Sequence, residues 1–234
     1  MGAIYFIKLP KKRRASSYYW LPFLILTFTV FYENFGAYSV YNFEFNKAVN
    51  ALLGNTENPR FNLWLYNFFN KHLNTILYLF LIKSWIEPSK KKLINWMIIL
   101  FLIVIQVLQF SGLERIYSHQ PIISAIGANL ILVGSGLYFI GLISNDNYLN
   151  SNPLRLISFW QMTLILFTYS LTYINSVALL YLWNINKQLV VSLSQIDKVL
   201  GSINLSLLVV TVASPYLIRI FEKEPNFDSN LNSP

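Results

Sequence analysis

Long apolar runs alternate with short polar ones along most of this chain. Six runs, at 18–38, 61–82, 93–113, 121–143, 156–183 and 199–220, stand out. Each can cross a hydrocarbon core, which takes about 20 helical residues. The pattern predicts an all-α fold: a polytopic integral membrane helical bundle with six transmembrane helices. A basic segment precedes it at 1–17, and a polar tail, expected to be disordered, follows at 221–234. The longest connection, about 39–60, is too short for a domain with a core of its own.

Tryptophan and proline mark the same boundaries. Trp20, Trp64, Trp96 and Trp160 sit near block starts, and Trp85 and Trp183 near block ends. An indole favours the headgroup level, where its ring is half apolar and its N–H stays wet. Pro10, Pro59, Pro88, Pro121 and Pro153 fall between blocks or at their starts. Pro22 is expected in a first helical turn, where a missing N–H costs little. Pro215 is expected inside the sixth helix, where it would kink it.

Charge gives these blocks a direction. Cytoplasmic loops carry excess Lys and Arg. The strongest clusters are Lys11, Lys12, Arg13 and Arg14, and Lys90, Lys91 and Lys92. They fall on one side only if two helices separate them. With the N-terminus inside, the inner segments hold twice as many basic residues as the outer ones. Both termini are therefore expected in the cytoplasm, and the protein is expected to be multi-pass in the cell inner membrane. The same clusters are also suited to anionic lipid, at about 1 kcal/mol per charge, although setting topology accounts for them. A signal-peptide reading of the first block meets a long apolar stretch and the bulky Tyr32, Phe35 and Tyr38 at its end, so an uncleaved helix is expected.

Composition narrows the function. Charged residues are 12% of the chain, about half the share usual in a soluble domain. The net charge of +8 is concentrated at membrane boundaries, which argues against a nucleic-acid partner. The chain has no cysteine and only two histidines, His72 and His119. Thiolate chemistry is excluded and a multi-histidine metal site is not expected. No cofactor is expected.

Polar residues at depth carry the remaining signal, because hydrocarbon penalises them unless they are paired or face a cavity. Asparagine, lysine and the large apolar residues are abundant, as in products of AT-rich genomes, so an asparagine alone says little. Glu33, one turn after Thr29, is the acidic residue closest to a helix interior. It reads as a cation- or ligand-binding carboxylate or as an interfacial glutamate. In the second block Asn67, Asn70, Lys71, Asn74 and Tyr78 recur at spacings of three and four and share a face. An ion pair between Glu33 and Lys71 would relieve both charges. Gln106 and Gln109 in the third block suit interhelical hydrogen bonds. Gly127, Gly134 and Gly141 form a heptad-spaced small-residue seam, expected to pack within the protomer. In the fifth block Gln161, Thr168, Thr172 and Asn175 form a stripe, widened by Tyr169, Ser170, Tyr173 and Ser176. It suits either a ligand cavity or inter-helix bonding. Ser202, Asn204, Ser206, Thr211 and Ser214 repeat the theme in the sixth.

No P-loop, HExxH or GxSxG motif is present. A catalytic constellation would have to come from Glu33, Lys71, His72, Glu114 and His119, and no spacing among them pairs a nucleophile with a base. There is no arginine series of a voltage sensor and no selectivity-filter sequence. The two halves show no similarity of the kind inverted-repeat transporters carry.

Several short patterns carry a family resemblance. Thr29-Val30-Phe31-Tyr32-Glu33-Asn34-Phe35-Gly36 matches T-x-x-x-E-x-x-G, and Asn62-Leu63-Trp64-Leu65-Tyr66-Asn67 matches N-x-W-x-Y-N. Phe159-Trp160 opens the fifth block ahead of Leu166, Tyr169 and Ser170. In these the chain resembles an uncharacterised family of small six-helix membrane proteins of Bacteroidota, often encoded near sensor histidine kinases. It departs at Lys71-His72-Leu73, where family members tend to carry a glutamate. The resemblance implies a role in sensing and a membrane partner such as a sensor kinase.

The sequence is thus read as a non-enzymatic sensing or signal-relay module of the inner membrane. It would bind a small apolar or lipidic ligand through Glu33, Asn67, Lys71, Asn74, Gln161 and Asn175. A small transporter or channel-type protein is the alternative, and an intramembrane lipid-modifying enzyme the second.

Overall fold

The computed structural model describes residues 2–145, 148, 151–182, 185–217 and 219–222. All regular structure among them is helical. In chain order the helices are α1 (Gly2–Lys8), α2 (Lys11–Arg14), α3 (Ser17–Tyr41), α4 (Phe43–Leu52), α5 (Leu63–Tyr66), α6 (Asn74–Trp85), α7 (Pro88–Phe110), α8 (Pro121–Ser144), α9 (Ile157–Leu182) and α10 (Lys187–Ala213). A π-helical segment, Asn67–Leu73, joins α5 to α6 without a break. Among the described residues four helices are long and apolar enough to cross a membrane: α7, α8, α9 over Ile157–Ala178, and α10 with its following turn to Tyr216. Helix α3 has 25 residues, but Glu33 and Asn34 dilute its apolar character.

Two elements differ from the hydropathy pattern. Helix α10 starts at Lys187 rather than near 199, and it ends at Ala213. Pro215 therefore lies in a short 3-10 turn, Ser214–Tyr216, after the helix rather than within it. Its missing N–H ends the helix instead of kinking it. Pro22 lies beyond the first turn of α3, because that helix starts at Ser17 and tolerates the proline inside it. The run 42–62 also holds helix α4. Asn42 caps it by accepting from the Phe45 N–H at 3.2 Å.

Buried asparagines hold the strand of chain after α4. Asn46 Nδ2 donates to the carbonyls of Pro59 (3.2 Å) and Arg60 (3.0 Å), and Asn50 Nδ2 to that of Phe61 (3.0 Å). Asn55 Nδ2 donates to Asn50 Oδ1 at 2.7 Å. Trp64 Nε1 donates to Asn46 Oδ1 at 2.9 Å. Amide side chains here do the work of secondary structure, satisfying backbone carbonyls that no helix reaches.

The long helices alternate in direction. At one end Tyr148 OH donates to the Trp85 carbonyl at 3.2 Å, and Asn145 Nδ2 to Glu87 Oε2 at 3.0 Å. Tyr18 packs on Trp85 there, with ring centroids 5.5 Å apart. Arg155 pairs with Glu222 at 3.0 Å, and Tyr5 meets Tyr216 at 6.0 Å. The last described residues, through Glu222, lie at this end, and α1 leads from it into the groove between α3 and α10, with Gly2 against Leu26 and Val209. At the other end Asn67 Nδ2 donates to the carbonyls of Ile116 (2.7 Å) and Ser118 (2.6 Å).

The core centres on α6, with Leu79, Leu81, Ile82, Ile94, Ile131 and Ile165 fully buried between helices. Helix α8 closes on it along the glycine seam. A Cβ at Gly127 would lie 3.1 Å from the Phe101 ring and 3.2 Å from Thr75 Cγ2, and one at Gly134 would lie 3.3 Å from Ile82. The seam packs within the protomer, as its spacing suggested.

Trp20, Trp96 and Trp160 are exposed, but Trp85 is only 3% exposed and belongs to the core. Its apolar neighbours outweigh its N–H, which has no hydrogen-bond partner. Trp183 lies outside the described residues. Gln106 is exposed on the outer face of α7. The buried Nε2 of Gln109 has no hydrogen-bond partner, so neither glutamine bonds a neighbouring helix. Helix α7 packs by its apolar edge, where Ile94, Met97, Ile98, Phe101 and Ile105 are buried.

The turn between α6 and α7 carries one measurable electrostatic feature. Glu87 accepts from Asn145, from Ser89 Oγ at 2.7 Å and from Lys90 Nζ at 3.0 Å. Hydrogen bonds from Asn145, Ser89 and Lys90 lower its pKa to about 2. A carboxyl depressed in the folded state stabilises it above the ordinary value and loses that contribution as pH falls through the folded one. Glu87→Gln is thus expected to lower the melting temperature at pH 7. The gap from wild type should close as pH falls from about 4.5 toward about 2. Melting scans of both proteins across that range check it.

Candidate ligand-binding site

A cavity of about 460 Å³ opens between α3, the α5–π–α6 helix, α8, α9 and α10. Its size is that of a small-molecule site. Two acids line it, Glu33 and Asp197, and two lysines, Lys71 and Lys198. Tyr32, Tyr66, Tyr78 and Tyr169 supply rings, and Asn70, Asn74, Thr168 and Thr172 supply amides and hydroxyls. At the floor Tyr78 is 3% exposed and Asn204 2%. Glu33, Tyr66, Lys198 and Ser202 are exposed and form the rim.

The π segment shapes this site. The Asn74 N–H bonds back to the Phe69 carbonyl, five residues away. A π turn holds more residues than an α turn and often marks functional positions. It rotates Asn67 out of register with the residues below it. Asn70, Lys71, Asn74 and Tyr78 then face the cavity, while Asn67 is fully buried against the 116–118 loop. The five do not form one continuous cavity face.

Lys71 Nζ donates to the Gln120 carbonyl at 3.2 Å and lies 5.9 Å from the Tyr66 ring centre. His72 Nε2 bonds Gln120 Oε1 at 2.9 Å. Gln120 Nε2 in turn donates to the carbonyls of Glu114 (3.2 Å) and Arg115 (3.3 Å). Glu114 is structural. Its two oxygens accept the N–H groups of Ile122 (2.6 Å) and Ile123 (2.8 Å), capping the first turn of α8. An acid there satisfies orphan donors and meets the positive end of the helix dipole. In the same loop, burial first and then the Lys71 charge hold His119 below its ordinary pKa. These bonds commit His72 and Glu114 to the loop between α7 and α8.

Glu33 and Lys71 share the cavity but form no ion pair, and none joins any two of its four charged side chains. Lys71 is held by the Gln120 carbonyl instead. Asp197 Oδ1 accepts from Thr172 Oγ1 at 2.9 Å.

Of the residues singled out from sequence, Glu33, Lys71 and Asn74 line the cavity. Asn67, Gln161 and Asn175 do not: Asn67 is buried against the 116–118 loop, and Gln161 and Asn175 are buried between helices. Gln161 Nε2 donates to Asn204 Oδ1, and Asn204 Nδ2 to Tyr78 OH at 3.0 Å. Thr211 Oγ1 lies 3.5 Å from Gln161 Oε1. This chain ties α6, α9 and α10 together directly under the cavity. Asn175 Nδ2 donates to the Leu193 carbonyl at 3.3 Å, joining α9 to α10 above it. Ser176 Oγ meets Ser124 Oγ at 2.9 Å.

Asp197 and Lys198 escaped the sequence reading because two adjacent charges just before an apolar run resemble a loop. A signal was present: Asp197, Gly201, Asn204, Leu208 and Thr211 recur at spacings of four and three, one continuous helical face. Of the basic clusters, Lys11, Lys12 and Arg13 are exposed on α2, Lys92 is exposed on α7, and Lys90 pairs with Glu87.

No protein family, curated protein or solved structure matches this chain.

Proposed function

We propose that this chain is a six-span protein of the cell inner membrane, with both termini in the cytoplasm, that senses or relays the occupancy of the cavity. The α5–π–α6 helix and α3 would supply the two crossings beyond α7–α10. The alternating helix directions and the shared end of Tyr5, Tyr216 and Glu222 support an even number of crossings. The basic clusters at 11–14 and 90–92 orient that end inward. The cavity then lies in the outer half of the membrane.

The observation that carries the reading is the double use of Asn204 and Tyr78. Both line the cavity, and both belong to the hydrogen-bond chain that clamps α6, α9 and α10. A ligand that touches them acts on helix packing, and a differential contact of this kind is what a relay requires. Four charged side chains stand among the aromatic and apolar lining, so the ligand class shifts from apolar to one that carries charge. A membrane partner such as a sensor kinase would receive the signal.

Cross-linking of the full chain in native membranes tests this. The sensing reading expects a recovered partner whose yield changes with Asn204→Leu. Solute flux in proteoliposomes that is lost on Glu33→Gln would instead favour the transporter.

A further inference from the structure

The cavity holds charges of both signs that do not neutralise one another. Intramembrane charges ordinarily pair. Here two acids and two lysines line one space, and no two of the four are within ion-pair distance. An occupant with both charges would complete both sets.

The two sets have different chemistry. Glu33 and Asp197 stand with Tyr32, Tyr78 and Tyr169 around the cavity, while the Tyr66 ring already lies beside Lys71. Acids and aromatic faces together are what an ammonium group seeks. Lys71 and Lys198 supply the complement of an oxyanion. Two further atoms of lining residues lack partners: Asn74 Oδ1, an acceptor, and Thr168 Oγ1. Unpaired buried polar atoms are costly and call for a partner.

Access and size narrow the choice. The rim residues Glu33, Lys198 and Ser202 lie on α3 and α10. Helix α1 bridges these helices lower down, where a Cβ at Gly2 would lie 3.1 Å from Leu26 and 4.0 Å from Val209. The groove is thus filled at its inner part and open at the cavity. A Cβ at Gly201, a lining residue, would meet nothing within 4 Å. A volume of about 460 Å³ suits a headgroup-sized polar molecule, not a pair of acyl chains.

We infer that the cavity binds a zwitterion, an ammonium joined to an oxyanion, with Glu33 and Asp197 facing the ammonium and Lys71 and Lys198 the oxyanion. This rests on the binding reading above and adds the ligand class. The source is either the headgroup of a zwitterionic phospholipid, its tails left in the bilayer, or a free zwitterion from the outer compartment.

Thermal unfolding of the full chain in a neutral sugar detergent tests it. The probes are glycerophosphoethanolamine, short-chain phosphatidylethanolamine, short-chain phosphatidylglycerol and ethanolamine. The zwitterionic probes are expected to raise the melting temperature. Their apparent affinity should fall about tenfold or more in Glu33→Gln and in Asp197→Asn, each of which removes one charged partner. Gly201→Leu should melt like wild type without ligand and lose the response, because its side chain fills the cavity. A response to the phosphatidylethanolamine alone identifies the lipid source, and equal responses to both zwitterions the free one. Phosphatidylglycerol or ethanolamine acting as strongly as the zwitterions would overturn the ligand class while leaving a binding cavity. If every probe acts alike on wild type and Gly201→Leu, the binding reading itself falls.

Discussion

Gly127→Leu is expected to unfold the bundle or to lower its stability by about 3 kcal/mol, the upper range for overpacking a close-packed core. A Cβ alone would stand 3.1 Å from two atoms of the Phe101 ring and 3.2 Å from Thr75. The ring cannot retreat easily, because Phe101 is fully buried and shares its cluster with Ile105 and Ile123. Gly127→Ala should cost less, about 1 kcal/mol, since the neighbours need give only a few tenths of an ångström. Gly136 provides the control on the same helix. A Cβ there meets nothing within 4 Å, so Gly136→Ala should be neutral or stabilising by about 0.5 kcal/mol through helix propensity. Thermal or denaturant unfolding of the three variants in one detergent checks the order. Equal losses at 127 and 136 would mean that α8 does not pack on α6 and α7 by this seam.

Asn204→Leu is expected to cost about 2 kcal/mol and to uncouple the cavity from the helices below it. The amide accepts from Gln161 and donates to Tyr78 OH at 3.0 Å. Removing it orphans two buried groups, and each unsatisfied group costs about 1–3 kcal/mol. An average intramembrane hydrogen bond contributes only about 0.6 kcal/mol, because the unfolded chain in the bilayer also finds partners. The expected loss lies above that average because one residue serves both bonds. Gln161→Leu should be nearly as costly alone and add little to Asn204→Leu, the signature of a shared network. Strictly additive losses from unfolding measurements would contradict the network.

Much of this architecture was legible in the apolar pattern. Helices α7, α8 and α9 begin or end within a few residues of the runs that announced them, because a membrane-crossing helix must be apolar nearly all round. The glycine spacing of α8 foretold its close packing. The site was legible only in part. Glu33, Lys71 and Asn74 were found because each stands out as polar in an apolar run. Asp197 and Lys198 were missed because α10 begins twelve residues before its apolar run, as an amphipathic helix whose polar half contributes to the cavity. Asn67 was misplaced because the π turn breaks the 3.6-residue period on which face assignments rest. The Glu33–Lys71 pair failed for a related reason. Sequence depth put both in the outer half, but the rotation of each helix decides which atoms meet, and Lys71 found the Gln120 carbonyl. Asn46, Asn50, Asn67 and Asn204 have structural partners, being buried and hydrogen-bonded.

The central claim is a cavity with charged side chains in its lining, in the outer half of a multi-pass bundle. Single cysteines test it most directly, since the chain has none of its own. Cells carrying Ser124→Cys, Ser202→Cys, Ser135→Cys or Lys92→Cys would be treated with a membrane-impermeant maleimide, before and after permeabilisation. Ser202 and Ser124 line the cavity, Ser135 is fully buried, and Lys92 belongs to the basic cluster that the proposal puts on the inner side. The account expects Ser202→Cys and Ser124→Cys to react in intact cells, with Ser202→Cys the faster. Lys92→Cys should react only after permeabilisation, and Ser135→Cys in neither case. Labelling of Lys92→Cys in intact cells, or of Ser202→Cys only after permeabilisation, would contradict it.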